Sequence, residues 1–143
     1  MAETALRVTH VLETSLYVAD LQRSRDFYER LFGFQAFLHD ERMCALGVPG
    51  QQVLLLFKLG ATVRPSPTPG GIIPPHDGRG SLHLAFAIAA ADLVGWERRL
   101  AEGGIAVESR VDWPSGAKSL YFRDPDNHSL ELATPRLWPN HQA

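Results

Sequence analysis

Apolar residues recur along the chain with two spacings, and the same order of spacings occurs twice. In the first half, the alternating segment HVLETSLYVADL predicts a strand, and LQRSRDFYERLF has the apolar spacing of a helix. Asp20 is placed to cap this helix and Gly33 to end it. In the second half, SLHLAFAIAAADL predicts a strand and LVGWERRLA a helix, with Asp92 as the cap and Gly103–Gly104 as the end.

Each helix is followed by three short segments of strand character. They are FQAFLHD, ERMCALG and QQVLLLFK in the first half and IAVESRV, AKSLYFRD and HSLELAT in the second. The order β-α-β-β-β therefore appears twice. Glu13 and His83 are offset by 70 residues, and Gly33 and Gly104 by 71, as an internal repeat predicts. We expect one domain over 1–143, with module one at about 8–60, module two at about 81–135 and a tail at 136–143.

The segment between the two halves is rich in proline and glycine. Residues 61–80, ATVRPSPTPGGIIPPHDGRG, contain five of the ten prolines and four of the twelve glycines. Such a composition cannot continue a helix or a central strand, so it predicts a long connecting loop. A plain linker and a functional loop are both open interpretations.

Strand parity places three ionisable residues on the faces opposite the apolar ones. Glu13 shares a face with Ser15 and Tyr17, while Leu12, Thr14, Leu16 and Val18 share the other. His83 lies opposite the apolar set Leu82, Leu84, Phe86 and Ile88, and Glu131 lies opposite Leu130 and Leu132. If the two halves pair, these three residues converge in one concavity.

Composition and charge narrow the class of protein. The chain has 143 residues, a net charge of −2, 45% hydrophobic residues and a single cysteine, Cys44. This is the composition of a soluble globular domain, without the basic surface of a nucleic-acid binder. One cysteine excludes an internal disulfide and any cysteine-based zinc or iron–sulfur site. No apolar run approaches the roughly 20 residues that span a bilayer, and no signal-peptide pattern is present. We therefore expect a cytoplasmic protein with a small-molecule partner and neither a nucleic-acid nor a membrane partner.

Two carboxylates and one imidazole suit a divalent metal ion. An inward carboxylate or imidazole is costly unless it is paired or binds a metal. The set Glu13, His83 and Glu131 fits Fe²⁺, Mn²⁺, Zn²⁺, Co²⁺ or Ni²⁺ and leaves coordination positions open for substrate. The alternative is two solvated glutamates and a hydrogen-bonded strand histidine.

Three ordered motifs resemble the vicinal oxygen chelate superfamily, the glyoxalase/bleomycin resistance/extradiol dioxygenase fold. They are LYVADLQRSRDFYERLFGF, SLHLAFAI and SLYFRDPDNHSLELATP, and the resemblance spans about residues 8–135. It implies an α+β fold in which two tandem βαβββ modules form a curved mixed sheet around a central cavity, with the helices outside. It also implies a homodimer. Asn127 stands where the family usually has glycine, and asparagine tolerates the left-handed turn.

The resemblance also assigns site residues. His83 and Glu131 match two metal ligands, and Glu13 matches the first-strand ligand, where the family often has His or Gln. His10 is the alternative, but its parity directs it away from the concavity. The fourth ligand of glyoxalase I has no counterpart, because the inward candidates are Leu54 or Leu55.

Several other residues are candidates for the cavity. We expect catalytic roles for His76, in the proline-rich loop, and for Tyr17 and Tyr121; each has a purely structural alternative. The segment 113–116, WPSG, is a candidate lid or pocket wall, and Trp138 is a candidate for closing an edge or packing on a second subunit. Cys44 has no basic residue beside it and is interpreted as a small buried hydrophobe.

The leading functional hypothesis is a metal-dependent enzyme that binds two adjacent oxygens of a small molecule on one divalent ion. Without a fourth ligand, lyase- or isomerase-like chemistry is favoured over a true glyoxalase I. One alternative is a non-catalytic, bleomycin-resistance-like protein that binds a drug or other small molecule. A second alternative is an extradiol-type dioxygenase.

Overall fold

The structure is a computed structural model that describes residues 5–142, so the ends of the expected domain, 1–4 and 143, lie outside it. The elements, in order, are β1 (Glu13–Val18), α1 (Leu21–Phe32), β2 (Gln35–His39), β3 (Met43–Val48), β4 (Gln52–Lys58), β5 (Ser66–Thr68), β6 (Gly71–Ile73), β7 (His83–Ala87), α2 (Leu93–Glu102), β8 (Ser109–Asp112), β9 (Lys118–Arg123) and β10 (Ser129–Ala133). Within this range, no helix has the length and apolar character needed to cross a membrane.

The long strands form two four-stranded mixed sheets. The first sheet has the order β1-β4-β3-β2, and the second has the order β7-β10-β9-β8. Strand β1 pairs in parallel with β4, and β7 pairs in parallel with β10. The other pairs in both sheets are antiparallel. The expected α+β fold with two tandem βαβββ units is therefore present.

The predicted strand faces are confirmed within the strands, although Leu12, predicted on the apolar face, precedes β1 and is exposed. Leu16, Val18, Leu130 and Leu132 are buried in one hydrophobic core, which also receives Tyr28 and Leu31 from α1. The opposite face of each sheet, here called its open face, carries the ionisable residues. Glu13 and His83 are exposed there, and Glu131 is buried.

The ends of α1 follow the prediction, but the start of α2 does not. The Asp20 side chain accepts a hydrogen bond from the Arg23 backbone at the start of α1, and Gly33 ends the helix in the left-handed conformation with φ of 71°. Asp92 makes no capping bond, so its predicted role is wrong. A short 3₁₀ turn, Ala90–Asp92, leads into α2 and holds the Asp92 backbone in a helical conformation instead of the extended one typical of an N-cap.

The proline-rich segment 61–80 contains more structure than a plain loop. Strands β5 and β6 form a short antiparallel hairpin within it. Pro67 is the one proline within these two strands, and a two-stranded hairpin consists of edge strands, where proline is tolerated. After the hairpin, the chain returns to the first sheet at His76.

A turn after β9 joins the second half of the chain to the first. Asp126 accepts hydrogen bonds from the Ala19 backbone at 2.8 Å and the Ser24 hydroxyl at 2.9 Å, and Asp124 accepts one from the Tyr28 hydroxyl at 2.7 Å. Asn127 adopts the expected left-handed conformation, with φ of 66°. We call this turn, residues 124–128, the joint.

His128 completes the joint from inside the core. It is 1% exposed, its Nδ1 accepts from the Leu82 backbone at 2.9 Å, and its Nε2 donates to the Tyr17 carbonyl at 2.8 Å. A neutral imidazole can make both bonds. The joint therefore fixes β1 relative to β7 and β10.

Candidate functional site

The structure brings two of the three predicted metal ligands together. His83 Nε2 lies 3.2 Å from Glu131 Oε1 on the open face of the second sheet. The two side chains reach each other because β7 and β10 are parallel neighbours, with Ser129 opposite His83 and Glu131 two residues further along. We call them the His83–Glu131 pair.

The hydrogen bonds around the pair leave one lone pair on His83 Nε2 and one on Glu131 Oε1, and both face the space between these two atoms. His83 Nδ1 lies 2.9 Å from the Ser129 carbonyl, which can only accept, so Nδ1 carries the proton. Glu131 Oε2 accepts from the Ser119 hydroxyl at 2.5 Å. In a neutral imidazole, Nε2 is then an acceptor, and it faces the acceptor Oε1. A cation or an additional proton must lie between them, and this donor set fits a divalent metal.

Glu13 does not join this pair within one chain. It lies on β1, at the edge of the first sheet, whereas the pair lies on the second sheet. Among residues 5–142, no three His, Cys, Asp or Glu side chains form a group that could hold a metal ion. The alternative, His10, contacts the Gln51 carbonyl at 3.2 Å and also lies apart from the pair.

Two aromatic residues extend the network of Glu131. The Trp113 indole donates to the Ser119 hydroxyl at 2.9 Å, so a chain of donors runs from Trp113 through Ser119 to Glu131. Tyr121 lies opposite Glu131 on β9. Burial, and then the negative charge of Glu131, raise the pKa of Tyr121, so its hydroxyl stays protonated and can donate.

His76 and Tyr17 form a second cluster on the open face of the first sheet. Tyr17 Oη lies 2.6 Å from His76 Nδ1. The His76 and Phe57 rings are in a T-shaped arrangement, with their centroids 4.7 Å apart. The backbone of His76 is held on both sides by Thr62. Burial, and then the charge of Asp77, raise the pKa of Tyr17. We call these two residues the Tyr17–His76 pair.

The proline-rich segment is packed tightly onto this pair. A Cβ at Gly78 would lie 2.2 Å from the Tyr17 ring, so only glycine permits the approach. The segment is therefore built against the first sheet rather than being a free linker. Its position after two prolines identified His76 as a candidate, but its contact with Tyr17 is long-range and has no sequence signal.

The remaining predicted residues have clear positions. Trp113 and Trp138 line the same cavity as the His83–Glu131 pair. Leu55, at the expected position of a fourth ligand, lies on the open face of the first sheet, and Leu54 is buried in the core. Cys44 is fully buried, and burial raises the pKa of its thiol, in agreement with a structural role. Sequence reasoning missed the joint residues Asp126 and His128, which look like ordinary turn residues.

Comparisons with known proteins agree with this architecture. The family model described as Glyoxalase/Bleomycin resistance protein/Dioxygenase superfamily matches residues 7–132. A solved structure of lactoylglutathione lyase from Agrobacterium tumefaciens superposes with a TM-score of 0.84 and 31% identity, covering 92% of this chain and 98% of that one.

Two curated relatives are similar in sequence. Metallothiol transferase FosB from Bacillus licheniformis is 30% identical over 130 residues, which are 90% of this chain and 75% of the relative. Catechol-2,3-dioxygenase from Bacillus subtilis is 30% identical over 129 residues, but the chain spans only 42% of its length. By their names these relatives are enzymes with different reactions. The chain belongs to the Glyoxalase/Bleomycin resistance protein/Dioxygenase superfamily.

Proposed function

We propose that this protein is a metal-dependent enzyme that acts on a small molecule with two adjacent oxygens. The observation that carries the proposal is the His83–Glu131 pair, in which Nε2 and Oε1 face each other at 3.2 Å with their other atoms already hydrogen-bonded. One divalent ion, Fe²⁺, Mn²⁺, Zn²⁺, Co²⁺ or Ni²⁺, suits this donor set. When bound, such an ion supplies Lewis-acid stabilisation of an oxyanion that develops on the substrate.

The third ligand in the proposal is Glu13, supplied by a second copy of the chain in a homodimer. Glu13 is exposed on β1, and His83 is exposed on β7; both strands lie at the edge of their sheets. An edge strand has unpaired backbone groups that favour pairing with another strand. Two edges of this kind, each carrying one ligand-type residue, support a site completed between copies.

The roles of the surrounding residues follow from their hydrogen bonds. Ser129 and Ser119 orient the imidazole and the carboxylate, as the outer hydrogen bonds of metal ligands commonly do. Tyr121, kept protonated, donates a hydrogen bond to a substrate oxygen. The Tyr17–His76 pair accepts and returns a proton, with His76 as the general base and Tyr17 holding its ring.

The reaction we favour is lyase- or isomerase-like rather than that of a true glyoxalase I. Leu55 stands where a fourth ligand would be expected, and its side chain has no lone pair to offer. Lactoylglutathione lyase from Agrobacterium tumefaciens, which is a glyoxalase I by its name, shares 31% identity and supports chemistry of the lyase type, whereas Leu55 argues against the complete glyoxalase I reaction.

An extradiol-type dioxygenase is the second candidate. The 30% identity to catechol-2,3-dioxygenase from Bacillus subtilis over 90% of this chain favours it, as does a three-residue ligand set. Oxygen consumption in the presence of Fe²⁺ and an aromatic diol separates it from the first candidate.

Metal titration of the full chain tests the proposal. We expect wild type to bind about one Zn²⁺ or Mn²⁺ per chain by calorimetry. His83→Ala and Glu131→Ala should abolish this binding, and Glu13→Ala should weaken it. His10→Ala is the matched control, because His10 precedes Glu13 by three residues and its ring is hydrogen-bonded to Thr9 and the Gln51 carbonyl, apart from the pair.

One result would overturn the metal-dependent function, and another would change only its third ligand. Equal and negligible metal binding by wild type and the His83→Ala variant removes the metal-dependent function. Loss of binding in His10→Ala with full binding in Glu13→Ala would transfer the third ligand to His10.

A further inference from the structure

The hydrogen-bond chain that ends at Glu131 begins at an aromatic residue in the turn between β8 and β9. The Trp113 indole donates to the Ser119 hydroxyl at 2.9 Å, and this hydroxyl donates to Glu131 Oε2 at 2.5 Å. Ser119 is 1% exposed and Glu131 is 4% exposed, so solvent does not readily replace the bond between them. In the proposed function Ser119 orients Glu131, but Trp113 has no role.

The direction of donation along this chain follows from the chemistry of its groups. An indole N–H can donate but not accept, whereas a hydroxyl has one hydrogen and two lone pairs. Trp113 therefore occupies one lone pair of Ser119 Oγ, and the single hydrogen of the hydroxyl is left for the carboxylate of Glu131. Without the indole, the hydroxyl regains its freedom to rotate and holds the carboxylate less firmly.

The bond to one oxygen of Glu131 also fixes the position of the other. A carboxylate is planar, so holding Oε2 at Ser119 sets the direction of Oε1, which lies 3.2 Å from His83 Nε2. His83 is held in the same way, because its Nδ1 is bound to the Ser129 carbonyl. Each of the two facing atoms of the His83–Glu131 pair is thus oriented through the other end of its own side-chain group.

The turn that carries Trp113 is itself held at several points. The Trp113 backbone donates to the Ala117 carbonyl at 2.9 Å, and the Gly116 backbone donates to the Trp113 carbonyl at 2.9 Å. Gly116 has φ of 91°, and a Cβ there would lie 2.9 Å from the Arg136 guanidinium. The indole therefore projects from a well-supported turn, as a residue that directs another side chain requires.

A role in the cavity wall alone does not account for the bond from Trp113 to Ser119. The cavity beside the pair has a volume of about 490 Å³, and both Trp113 and Trp138 line it. Trp138 is 66% exposed, whereas the Trp113 indole N–H is directed to a buried hydroxyl. Phenylalanine at position 113 would supply an apolar wall, but it has no N–H to offer Ser119.

We infer that Trp113 is a positioning residue for the metal ligand Glu131 and that it acts through Ser119. The inference rests on the proposed function, because that function makes Glu131 a ligand. In this role Trp113 keeps the Ser119 hydroxyl directed at Oε2, and Oε1 consequently stays directed at the space that it shares with His83 Nε2.

A double-mutant cycle, measured by calorimetric Zn²⁺ titration of the full chain, tests this inference. Ser119→Ala should weaken Zn²⁺ binding by about 10- to 100-fold, as the loss of an outer hydrogen bond to a metal ligand commonly does. Trp113→Phe keeps a ring but loses the donor, and it should weaken binding by about 3- to 10-fold. The double variant should bind no more weakly than Ser119→Ala, because Trp113 acts only through Ser119.

Two further tryptophan variants separate positioning from the general effect of losing an indole. Trp96→Phe, on α2 and outside this cavity, is the matched control and should leave Zn²⁺ affinity unchanged. Trp138→Phe changes a ring of the cavity wall that is not part of the hydrogen-bond chain, and it should also leave the affinity unchanged. Equal losses in Trp138→Phe and Trp113→Phe would assign the effect to the wall and would overturn the inference.

A second measurement on metal-free protein does not depend on Zn²⁺ binding. In ¹⁵N-labelled wild type, the Trp113 indole signal, identified by its absence in Trp113→Phe, should exchange with solvent more slowly than the Trp138 signal. Ser119→Ala should remove this protection, and Glu131→Leu should shift the Trp113 signal but not that of Trp138. Thermal unfolding of each variant shows whether the fold is kept.

The outcomes keep this inference apart from the proposed function. Failure of wild type to bind Zn²⁺ would reject the proposed function, and with it the ligand that Trp113 positions. Zn²⁺ binding that is strong in wild type and unchanged in Trp113→Phe would overturn the inference alone, as would additive losses of binding free energy in the double variant. Rapid solvent exchange of the Trp113 indole in wild type would overturn it as well.

Discussion

The two sheets have the same strand pairing, yet their open faces carry different chemistry. In the first sheet Glu13 lies opposite Val53, and in the second His83 lies opposite Ser129. Moving two residues along the last strand of each sheet reaches Leu55 in one and Glu131 in the other. At these matched positions a common backbone thus presents His83 and Glu131 on the second sheet, but Glu13 and a leucine on the first.

Four residues further along the first strand of each sheet, it is the first sheet that carries an ionisable side chain. Tyr17, four positions after Glu13, meets His76 from the proline-rich segment, whereas Ala87 occupies the matching position after His83. The proline-rich segment therefore packs on the open face of the first sheet and forms the Tyr17–His76 pair there, whereas the open face of the second sheet bears the His83–Glu131 pair. Under the proposed function, the His83–Glu131 pair would bind the metal and the Tyr17–His76 pair would transfer the proton, so a complete site would need the open face of each sheet.

The largest expected effect comes from replacing Glu131 with leucine, the residue that Leu55 places at the matching position of the first sheet. Glu131→Leu removes a ligand and should weaken Zn²⁺ binding by at least about 100-fold in calorimetric titration. The free energy of unfolding should change by less than about 2 kcal/mol, because relief from burying a carboxylate offsets the loss of the acceptor of the buried Ser119 hydroxyl. Glu97→Leu, on the surface of α2, is the control. Parallel loss of stability and binding in Glu131→Leu would mean that Glu131 has a structural role.

The reverse change sharpens the comparison. Leu55→Glu places a carboxylate on the first face at the position that matches Glu131, and it should tighten Zn²⁺ binding by about 10-fold if this face completes the site. Leu55→Met, which has similar size and no oxygen, should leave the affinity unchanged. Identical affinities for both variants would show that the first face does not approach the metal.

Repeated patterns explain why most of the fold was predictable from sequence. Alternation along β1 and β10 identified the buried residues Leu16 and Leu132, and capping residues located both ends of α1. These signals are local. Asp92 was misassigned because a 3₁₀ turn satisfies the start of α2 without a side-chain cap, and the hairpin of β5 and β6 was missed because its prolines oppose strand formation.

The sequence predicted only those site contacts that follow from the face of a strand on which a residue lies. Parity placed His83 and Glu131 on one face, and parallel pairing of their strands brings them together. The bond between Tyr17 and His76 spans 59 residues, and the bond between His128 and the Tyr17 carbonyl spans 111. Such contacts depend on how loops pack, which local spacing does not encode.

A moderate effect is expected at the joint, where the two halves meet. Tyr28→Phe removes the hydroxyl that donates to the buried Asp124, and it should lower the free energy of unfolding by about 1 to 2 kcal/mol in urea denaturation. Tyr121→Phe, which changes a half-buried phenol on the open face of the second sheet, should cost less. A smaller loss for Tyr28→Phe than for Tyr121→Phe would contradict the assignment of Tyr28 to the joint.

The smallest expected effect is the pH dependence of the three tyrosines. Burial is the largest cause of a raised pKa at Tyr17, Tyr28 and Tyr121, and a neighbouring carboxylate, Asp77, Asp124 or Glu131 respectively, adds to it. The folded state therefore keeps its phenol protons above the ordinary pKa of 10.0, whereas the unfolded chain loses them.

The sign of the resulting change in stability follows from that difference. The stabilisation is fully present below pH 10.0 and decreases as the pH rises through the folded-state values. Ultraviolet titration of native protein should show phenolate forming at higher pH than in urea-unfolded protein, with Tyr28 the last to ionise because it is the most deeply buried of the three. The Tyr28→Phe variant should lose that last step, whereas Tyr17→Phe and Tyr121→Phe should each remove an earlier one. A native titration that coincides with the unfolded one would contradict the raised pKa values of Tyr17, Tyr28 and Tyr121, and with them the burial of these phenols.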